Sequence, residues 1–274
     1  MPPTSRGLYE VLITEALDAG LQDSQESREI RRDGLREADA ADRIAFHLGR
    51  VVERAVSSFG REERVEKGIA LARQLIDDVA SVAAEAAQKE KPVAPGAVLR
   101  ALLSRLPDGT PEAIAEPLIP LLDTTLLTNA PGEPRVGSQL LAEIHSADRI
   151  DVVMAFVRKS GVAPLLNALR AHCEAGRVLR VLTTTYTGST EGKALEMLRD
   201  AGAEVRISYD TTTTRLHAKA WLFYRRSGFS TAYIGSSNLT HSAQVTGLEW
   251  NVRASSARNP GVVGKVAAVF RLGG

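Results

Sequence analysis

Apolar residues in the first half of the chain recur every three or four positions. Residues 8–17 show this spacing, and so do Ile44, Leu48, Val51, Val52, Ala55, Val56 and Phe59, with charged residues in between. A stripe of that period lies along one side of an α-helix. Residues 61–87 continue it through Ile69, Leu71, Leu75, Ile76 and Val79, and residues 95–105 read as a shorter helix. Pro107, Pro111, Pro117 and Pro120 follow. Proline lacks a backbone donor and disfavours helix in the residue before it, so this segment reads as a boundary or connection. The charged stretch 22–42 has few apolar anchors and reads as a solvated helix face or a loose loop. No internal repeat is present.

The period changes after Thr124. Residues 150–157 (IDVVMAFV), 178–185 (VLRVLTTT) and 203–209 (AEVRISY) read as strands, with helices expected at 162–175 and 191–201. Such alternation predicts βαβ units and a largely parallel sheet covered by helices. Three more strand-like runs follow at 216–224, 230–234 and 248–254, and the RRSGF turn at 225–229 carries Gly228 for a tight reversal. The expected organisation is an all-α N-terminal domain over residues 1–122 and an α/β domain over 123–274.

Composition narrows the class. With 44% hydrophobic and 24% charged residues, the 274-residue chain has ordinary globular content. The lone Cys173 permits neither an internal disulfide nor a cysteine metal cage. The N-terminus lacks a basic segment followed by an apolar one, and no apolar run approaches the ~18 residues of a membrane span. A cytoplasmic location and no membrane partner are expected. The formal charge of +1 conceals a split: residues 1–122 hold 16 Lys/Arg against 21 Asp/Glu, a formal −5, and residues 123–274 hold 18 against 12, a formal +6. A basic half suits an anionic partner, although a modest excess also suits a plain solvated surface.

Chemistry concentrates late in the chain. In His217-Ala218-Lys219, two side chains spaced by two along a strand project from one face, so an imidazole and an ammonium can lie together. Lysine there can hold a phosphoryl oxygen and favour the neutral, nucleophilic imidazole. Gly235-Ser236-Ser237-Asn238 follows the next strand, where glycine allows a sharp turn and the polar side chains supply neutral donors. Both also have plain readings: His-x-Lys as a surface strand, and Ser237 or Asn238 as the cap of a helix over 239–243.

Taken together, His217-x-Lys219, a strand, a turn, a second strand and Gly235-Ser236-x-Asn238 resemble the H-x-K…G-S-x-N signature of the phospholipase D superfamily. The stretch 215–253 looks like the phospholipase-D-like domain at the N-terminus of bacterial superfamily 2 helicases. The resemblance is strong over 126–270, and residues 1–122 are similar, less specifically, to the helical leader of those proteins. It implies a phospholipase-D-like mixed sheet flanked by helices, with no metal or other cofactor, because cationic side chains provide the charge stabilisation. It makes His217 the nucleophile and Lys219 and Asn238 the phosphate binders. Ser236 becomes a hydrogen-bonding partner, and Glu249 a carboxylate beside the histidine that fixes its tautomer. For Glu249 the plain alternative is an ion pair with Arg253 or Arg215. Thr184 and Tyr186, at the end of a parallel strand, are candidate substrate contacts.

Two features depart from the family pattern. Tyr224 stands where the pattern has aspartate, a mainly structural residue in the family, and the link from lysine to the G-S-x-N element is longer than usual. The site is also a half: His47, His145, His172 and His241 are not followed by x-Lys. A second histidine must then come from a homodimer whose two-fold axis passes through the site. His172, Cys173 and His241 read as structural or surface residues, and Trp221 and Trp250 as core.

The expected function is a metal-independent phosphodiesterase acting on nucleic acid, DNA ahead of RNA, with a helicase or ATPase in cis or in trans as a further partner. Lipid substrates are disfavoured, since no amphipathic segment has a clear basic face. The alternative is a non-catalytic nucleic-acid-binding or docking module of a helicase.

Overall fold

The protein is seen in a computed structural model that describes residues 7–23, 28–87, 89–186, 188–210 and 215–272, with side chains to Phe270. Positions 1–6 at the N-terminus and 24–27 of the charged stretch lie outside the described residues. The chain divides into two compact units, residues 1–102 and 103–274.

The first unit is helical: α1 (Glu15–Gln22), α2 (Glu37–Ser58), α3 (Arg64–Val82) and the single turn α4 (Ala84–Ala87). The helix expected over 8–17 begins only at Glu15, because the Thr14 hydroxyl accepts the Leu17 N–H at 3.2 Å and caps it there. The start of α2 lies inside the charged stretch. α2 and α3 are amphipathic as expected, yet neither has a fully buried residue. Their close approach falls at Gly68, where a Cβ would lie 3.4 Å from Val56.

Residues 95–105 form no helix, in contrast to the expectation. Gly96, in a left-handed conformation (φ 122°), follows Pro95, and neither suits a helix interior. Arg105 instead bridges to Pro111 around a turn closed by Leu106 N–H to Thr110 O at 2.8 Å.

The second unit is built on a seven-stranded mixed sheet of order β1-β7-β6-β5-β2-β3-β4. In chain order its elements are β1 (Thr125–Leu127), α5 (Val136–Ser146), β2 (Arg149–Met154), α6 (Lys159–Val162), α7 (Leu166–Glu174), β3 (Val178–Thr184), α8 (Gly192–Asp200), β4 (Glu204–Ser208), β5 (Lys219–Tyr224), β6 (Thr231–Gly235), a π-turn (Ser242–Thr246), β7 (Asn251–Ser255) and α9 (Pro260–Leu272). β2, β3 and β4 are parallel, as the alternating pattern predicts, and the other pairs are antiparallel. β2 is buried on both faces from Ile150 to Met154, and the one charge within it, Asp151, is paired with Arg180 and Arg149. β1 and α5 went unread in the sequence.

One sheet face packs Trp221, Phe223 and Tyr233 with Leu140, Ile144, Leu169 and Leu198 of the helices. Trp221 and Phe223, two residues apart in β5, stack at 5.7 Å, and Tyr233 meets Phe223 edge-on. The opposite face packs Leu222, Ala232 and Ala254 under Val263 and Ala267 of α9. Within the first core Glu143 accepts from Arg225, Arg253, Thr231 and Tyr233.

The division between units falls twenty residues before the expected boundary, for a definite reason. Arg253 donates to the carbonyls of Pro120 and Asp123 at 3.0 and 2.9 Å, Ser255 Oγ donates to Leu121 O, and Arg177 pairs with Glu112. The proline-rich segment is thereby tied to the sheet. No helix among the described residues is long and apolar enough to cross a membrane.

Candidate active site

The registers Met154↔Lys219, Ala220↔Ile234 and Gly235↔Asn251 bring the end of β2, the start of β5, the end of β6 and the start of β7 to one rim of the sheet. The chemistry singled out in the sequence collects there.

His217 and Ala218 precede β5, but their backbone is still extended: Ala155 N–H donates to Ala218 O at 3.1 Å, carrying the β2–β5 pairing one step further. The side chains of His217 and Lys219 consequently share a face. The Lys219 ammonium lies 3.2 and 3.3 Å from the two imidazole nitrogens and donates to the His217 carbonyl at 2.8 Å. His217 is exposed. Phe156 supports the imidazole, the rings meeting edge to face at 5.7 Å, and Lys219 Nζ is the same distance from the Phe156 ring. Burial draws the Lys219 pKa below the ordinary lysine value, and the Glu249 carboxylate works against that shift.

Gly235 has a steric role. A Cβ at this position would lie 2.0 Å from the Trp250 carbonyl oxygen and 2.6 Å from Asn251 Oδ1, so only glycine lets the chain pass under β7. Ser236 then exchanges backbone contacts with Trp250, donating its N–H to Trp250 O and accepting Trp250 N–H on Oγ, both at 3.0 Å. Its hydroxyl donates to Glu249. The carboxylate therefore sits on Ser236, within electrostatic reach of Lys219, and not on the imidazole where the family pattern implied it. Neither proposed arginine takes it: Arg253 is buried on Glu143, and Arg215 lies over the Tyr186 ring at 5.5 Å.

Ser237 is buried, accepting from Asn251 Nδ2 at 2.7 Å. Asn238 Oδ1 accepts the Phe156 N–H at 3.2 Å, which leaves the Nδ2 donors for a ligand. The same side chain fixes the loop that carries the ring beneath His217. Leu239 and Phe156 continue this zipper, Leu239 N–H donating to Phe156 O at 3.1 Å and Arg158 N–H to Leu239 O at 3.0 Å.

The helix expected over 239–243 is a π-turn three residues later, at Ser242–Thr246, entered at the exposed His241. Asn129 accounts for it. Its Nδ2 donates to the carbonyls of Ala243 and Gly247 at 2.9 and 3.1 Å while its Oδ1 accepts Val136 N–H, joining the turn to the first residue of α5. Asn129 is buried in a left-handed conformation (φ 57°), which asparagine tolerates better than most residues. Neither Asn129 nor Phe156 was found by reading the sequence, since Asn129 holds the π-turn more than 100 positions away and Phe156 meets His217 and Asn238 across 60 or more.

The remaining candidates separate. Thr184 is buried, its hydroxyl donating to Ser208 O and accepting Tyr186 N–H, so it serves the turn and not a ligand. Tyr186 is half-buried and holds Arg215 at the rim, where Arg158 and Lys159 are also exposed. His172 is buried against Val178 O, and burial lowers its pKa. Trp221 is core, as expected, but Trp250 is 67% exposed. Among the described residues no cluster of three or more His, Cys, Asp or Glu could hold a metal ion.

Comparison with known proteins follows this geometry. Residues 140–271 match the family described as "Cardiolipin synthase, PLD-like domain". No curated protein matches the chain. Similar solved structures include the phospholipase D family member Nuc from Salmonella typhimurium, at 16% identity and TM-score 0.43 over 55% of this chain and 94% of that one. NucT from Helicobacter pylori aligns over the same shares at 12% identity and TM-score 0.44. A yeast tyrosyl-DNA phosphodiesterase mutant aligns over 40% of this chain and 25% of its own at 14% identity, with TM-score 0.29. From the second turn of α5 almost to the end of α9, the stretch that holds His217, Lys219, Asn238 and Glu249, the chain matches the PLD-like domain family and has the mixed α/β fold to go with it.

Proposed function

We propose that this protein is a metal-independent phosphodiesterase that cleaves DNA through a phosphohistidine at His217. The observation that carries the reading is the convergence of His217, Lys219 and Asn238 at one rim, with Phe156 supporting the imidazole and Asn238 fixing Phe156.

In this mechanism a phosphodiester draws the Lys219 ammonium away from the imidazole, and Asn238 Nδ2 donates to a second phosphoryl oxygen. The freed imidazole nitrogen attacks phosphorus as the bond to the leaving oxygen breaks, and the leaving oxygen takes a proton from a second histidine. That histidine, now neutral, accepts a proton from water as the water oxygen displaces His217 from phosphorus. Lysine and imidazolium supply the positive charge that stabilises the transition state. Glu249 steadies Ser236 and opposes deprotonation of Lys219. The second histidine is His217 of another copy, in a homodimer with its two-fold axis at the rim. The formal +6 of residues 123–274 and the exposed Arg158, Lys159 and Arg215 support a polyanionic substrate, and a helicase or ATPase partner is part of the same proposal.

The test is incubation of the full chain with end-labelled single- and double-stranded DNA in EDTA, beside His217→Ala. Cleavage is expected in EDTA and lost to background in the variant, with a transient acid-labile protein–DNA adduct in the unmodified protein only. Binding without cleavage at every pH tried would identify a docking module. Cleavage that persists in His217→Ala, or that requires added divalent metal, would overturn the mechanism.

A further inference from the structure

Beyond the end of β2 the chain from Ala155 to Lys159 runs between two other segments, 238–239 after β6 and 190–191 before α8. Phe156 turns its backbone to the first: its N–H donates to Asn238 Oδ1 at 3.2 Å and its carbonyl accepts Leu239 N–H at 3.1 Å. Val157 turns to the second: its N–H donates to Thr190 Oγ1 at 3.4 Å and its carbonyl accepts Glu191 N–H at 2.9 Å. The Thr190 hydroxyl also donates to Ala155 O at 3.2 Å, so a single oxygen spans the residues on both sides of Phe156. That hydroxyl lies 3.4 Å from Thr183 Oγ1, buried in β3, and Glu191 completes the clasp by accepting Lys159 N–H at 2.8 Å. Ala155 and Val157 are wholly buried, so loss of the hydroxyl would leave their polar groups unpaired away from water.

The clasp matters because of what rests on Phe156. Among the described residues, the partners of the imidazole ring are the Lys219 ammonium, at 3.2 and 3.3 Å, and the Phe156 ring, edge to face at 5.7 Å. The Glu249 carboxylate is held by Ser236 instead. When a phosphodiester draws Lys219 away, Phe156 is the contact that stays with the exposed imidazole. Aromatic pairs prefer an edge-to-face arrangement, so the place of the Phe156 ring sets the direction in which the imidazole nitrogen points. In-line attack is sensitive to that direction, and a misplacement of about 1 Å costs on the order of 100-fold in rate.

We propose that Thr190 is a positioning residue of the reaction: its hydroxyl holds the backbone at 155–157, that backbone holds the Phe156 ring, and the ring aims His217 at phosphorus. The effect on cleavage rests on the phosphodiesterase reading, whereas the hold on the imidazole is measurable without it. Asn238 also fixes Phe156, but in the same reading it binds the phosphate, so its replacement mixes two roles. Thr190 stands outside the phosphate-binding set and isolates the aiming. Valine keeps the shape of threonine without its donor and acceptor, and serine keeps both of these without the methyl group.

The experiment compares the full chain with Thr190→Val, Thr190→Ser and Phe156→Leu, with circular dichroism confirming that each variant is folded. Proton NMR of the histidine Cε1–H signals reports the imidazole independently of activity, the His217 signal being the one absent from His217→Ala. The Phe156 ring current should displace this signal from the free-histidine position in the unmodified chain and in Thr190→Ser, and the signal should move back in Phe156→Leu and Thr190→Val. Single-turnover formation of the acid-labile DNA adduct in EDTA should slow about 10- to 100-fold in Thr190→Val and Phe156→Leu, with DNA affinity unchanged, and recover in Thr190→Ser. A folded Thr190→Val with the signal and adduct rate of the unmodified chain would overturn the proposal. So would a folded Phe156→Leu with an unmoved signal, even if Thr190→Val failed to fold. A serine variant as slow as the valine variant would make Thr190 a packing residue and overturn the role of its hydroxyl. If the signals move as expected but the unmodified chain cleaves no DNA, the hold of Thr190 on the imidazole stands and the phosphodiesterase reading falls.

Discussion

Replacing Glu143 by Gln perturbs the core that places the rim. The carboxylate on α5 accepts from Arg225 Nη2 at 2.5 Å, Arg253 Nε at 2.9 Å, Thr231 Oγ1 at 2.8 Å and Tyr233 OH at 3.1 Å. The side chains of both arginines are themselves buried, at 5% and 0% exposure. Glutamine preserves the volume but leaves two buried guanidinium groups without a counter-charge. Removing one partner of a buried pair costs about 3–5 kcal/mol, a large share of the roughly 5–15 kcal/mol that holds a domain folded. At about 2–4 °C per kcal/mol for a unit of this size, the melting temperature should fall by about 10 °C. Thermal unfolding followed by far-UV circular dichroism and by the fluorescence of the buried Trp221 measures it.

Acidity provides a second readout. Burial alone would raise the Glu143 pKa, but the Arg225 and Arg253 guanidinium groups outweigh it and hold the carboxyl below the usual glutamate value. With the folded pKa the lower of the two, the unfolded chain binds the proton first as pH falls. The stability from this group is therefore complete above the unfolded pKa of about 4.3 and is lost as pH drops through the folded value. The gap between the two proteins should be widest near neutrality and narrow in acid. A variant melting within about 2 °C of the unmodified protein at pH 7 would refute the claim that these ions are paired in a dry core.

Two further predictions concern the rim. Gly161→Ala would place a Cβ 2.2 Å from the Leu239 carbonyl and 2.4 Å from Thr240 N, so the loop holding Asn238 must shift. A loss of about 1–3 kcal/mol in urea unfolding is expected, with a larger proportional loss of cleavage than of stability; unchanged unfolding would show that the two segments are not closely packed. Burial lowers the Lys219 pKa and Glu249 opposes the shift, so Glu249→Gln should let the ammonium deprotonate at lower pH. The alkaline limb of the cleavage profile should move to lower pH in that variant, and a superimposable limb would mean that Glu249 does not act on Lys219.

Much of the fold was legible because its signals are local. The run IDVVMA reads as a strand, and the alternation that follows reads as parallel βαβ. His217 and Lys219 were legible as a pair because a spacing of two in extended chain puts both on one face. Residues 95–105 misled for the same reason: apolar spacing suggested a helix, and the conformation at Pro95 and Gly96 overrode it. Trp250 misled differently. Its apolar character fitted a core, and only the extent of α9 determines that this part of the sheet is uncovered.

The sequence by itself determined the helical and α/β halves, most strand positions and the pairing of His217 with Lys219 on one face, because each is written within about ten residues of chain. The tertiary structure decided the partners. Glu143 meets Arg225 across 82 positions and Arg253 across 110, Asn238 finds Phe156 across 82, and Glu249 settles on Ser236 instead of the imidazole. Such pairings depend on which strands become neighbours and how their registers align. That is settled when whole surfaces compete for burial, and no local spacing carries it.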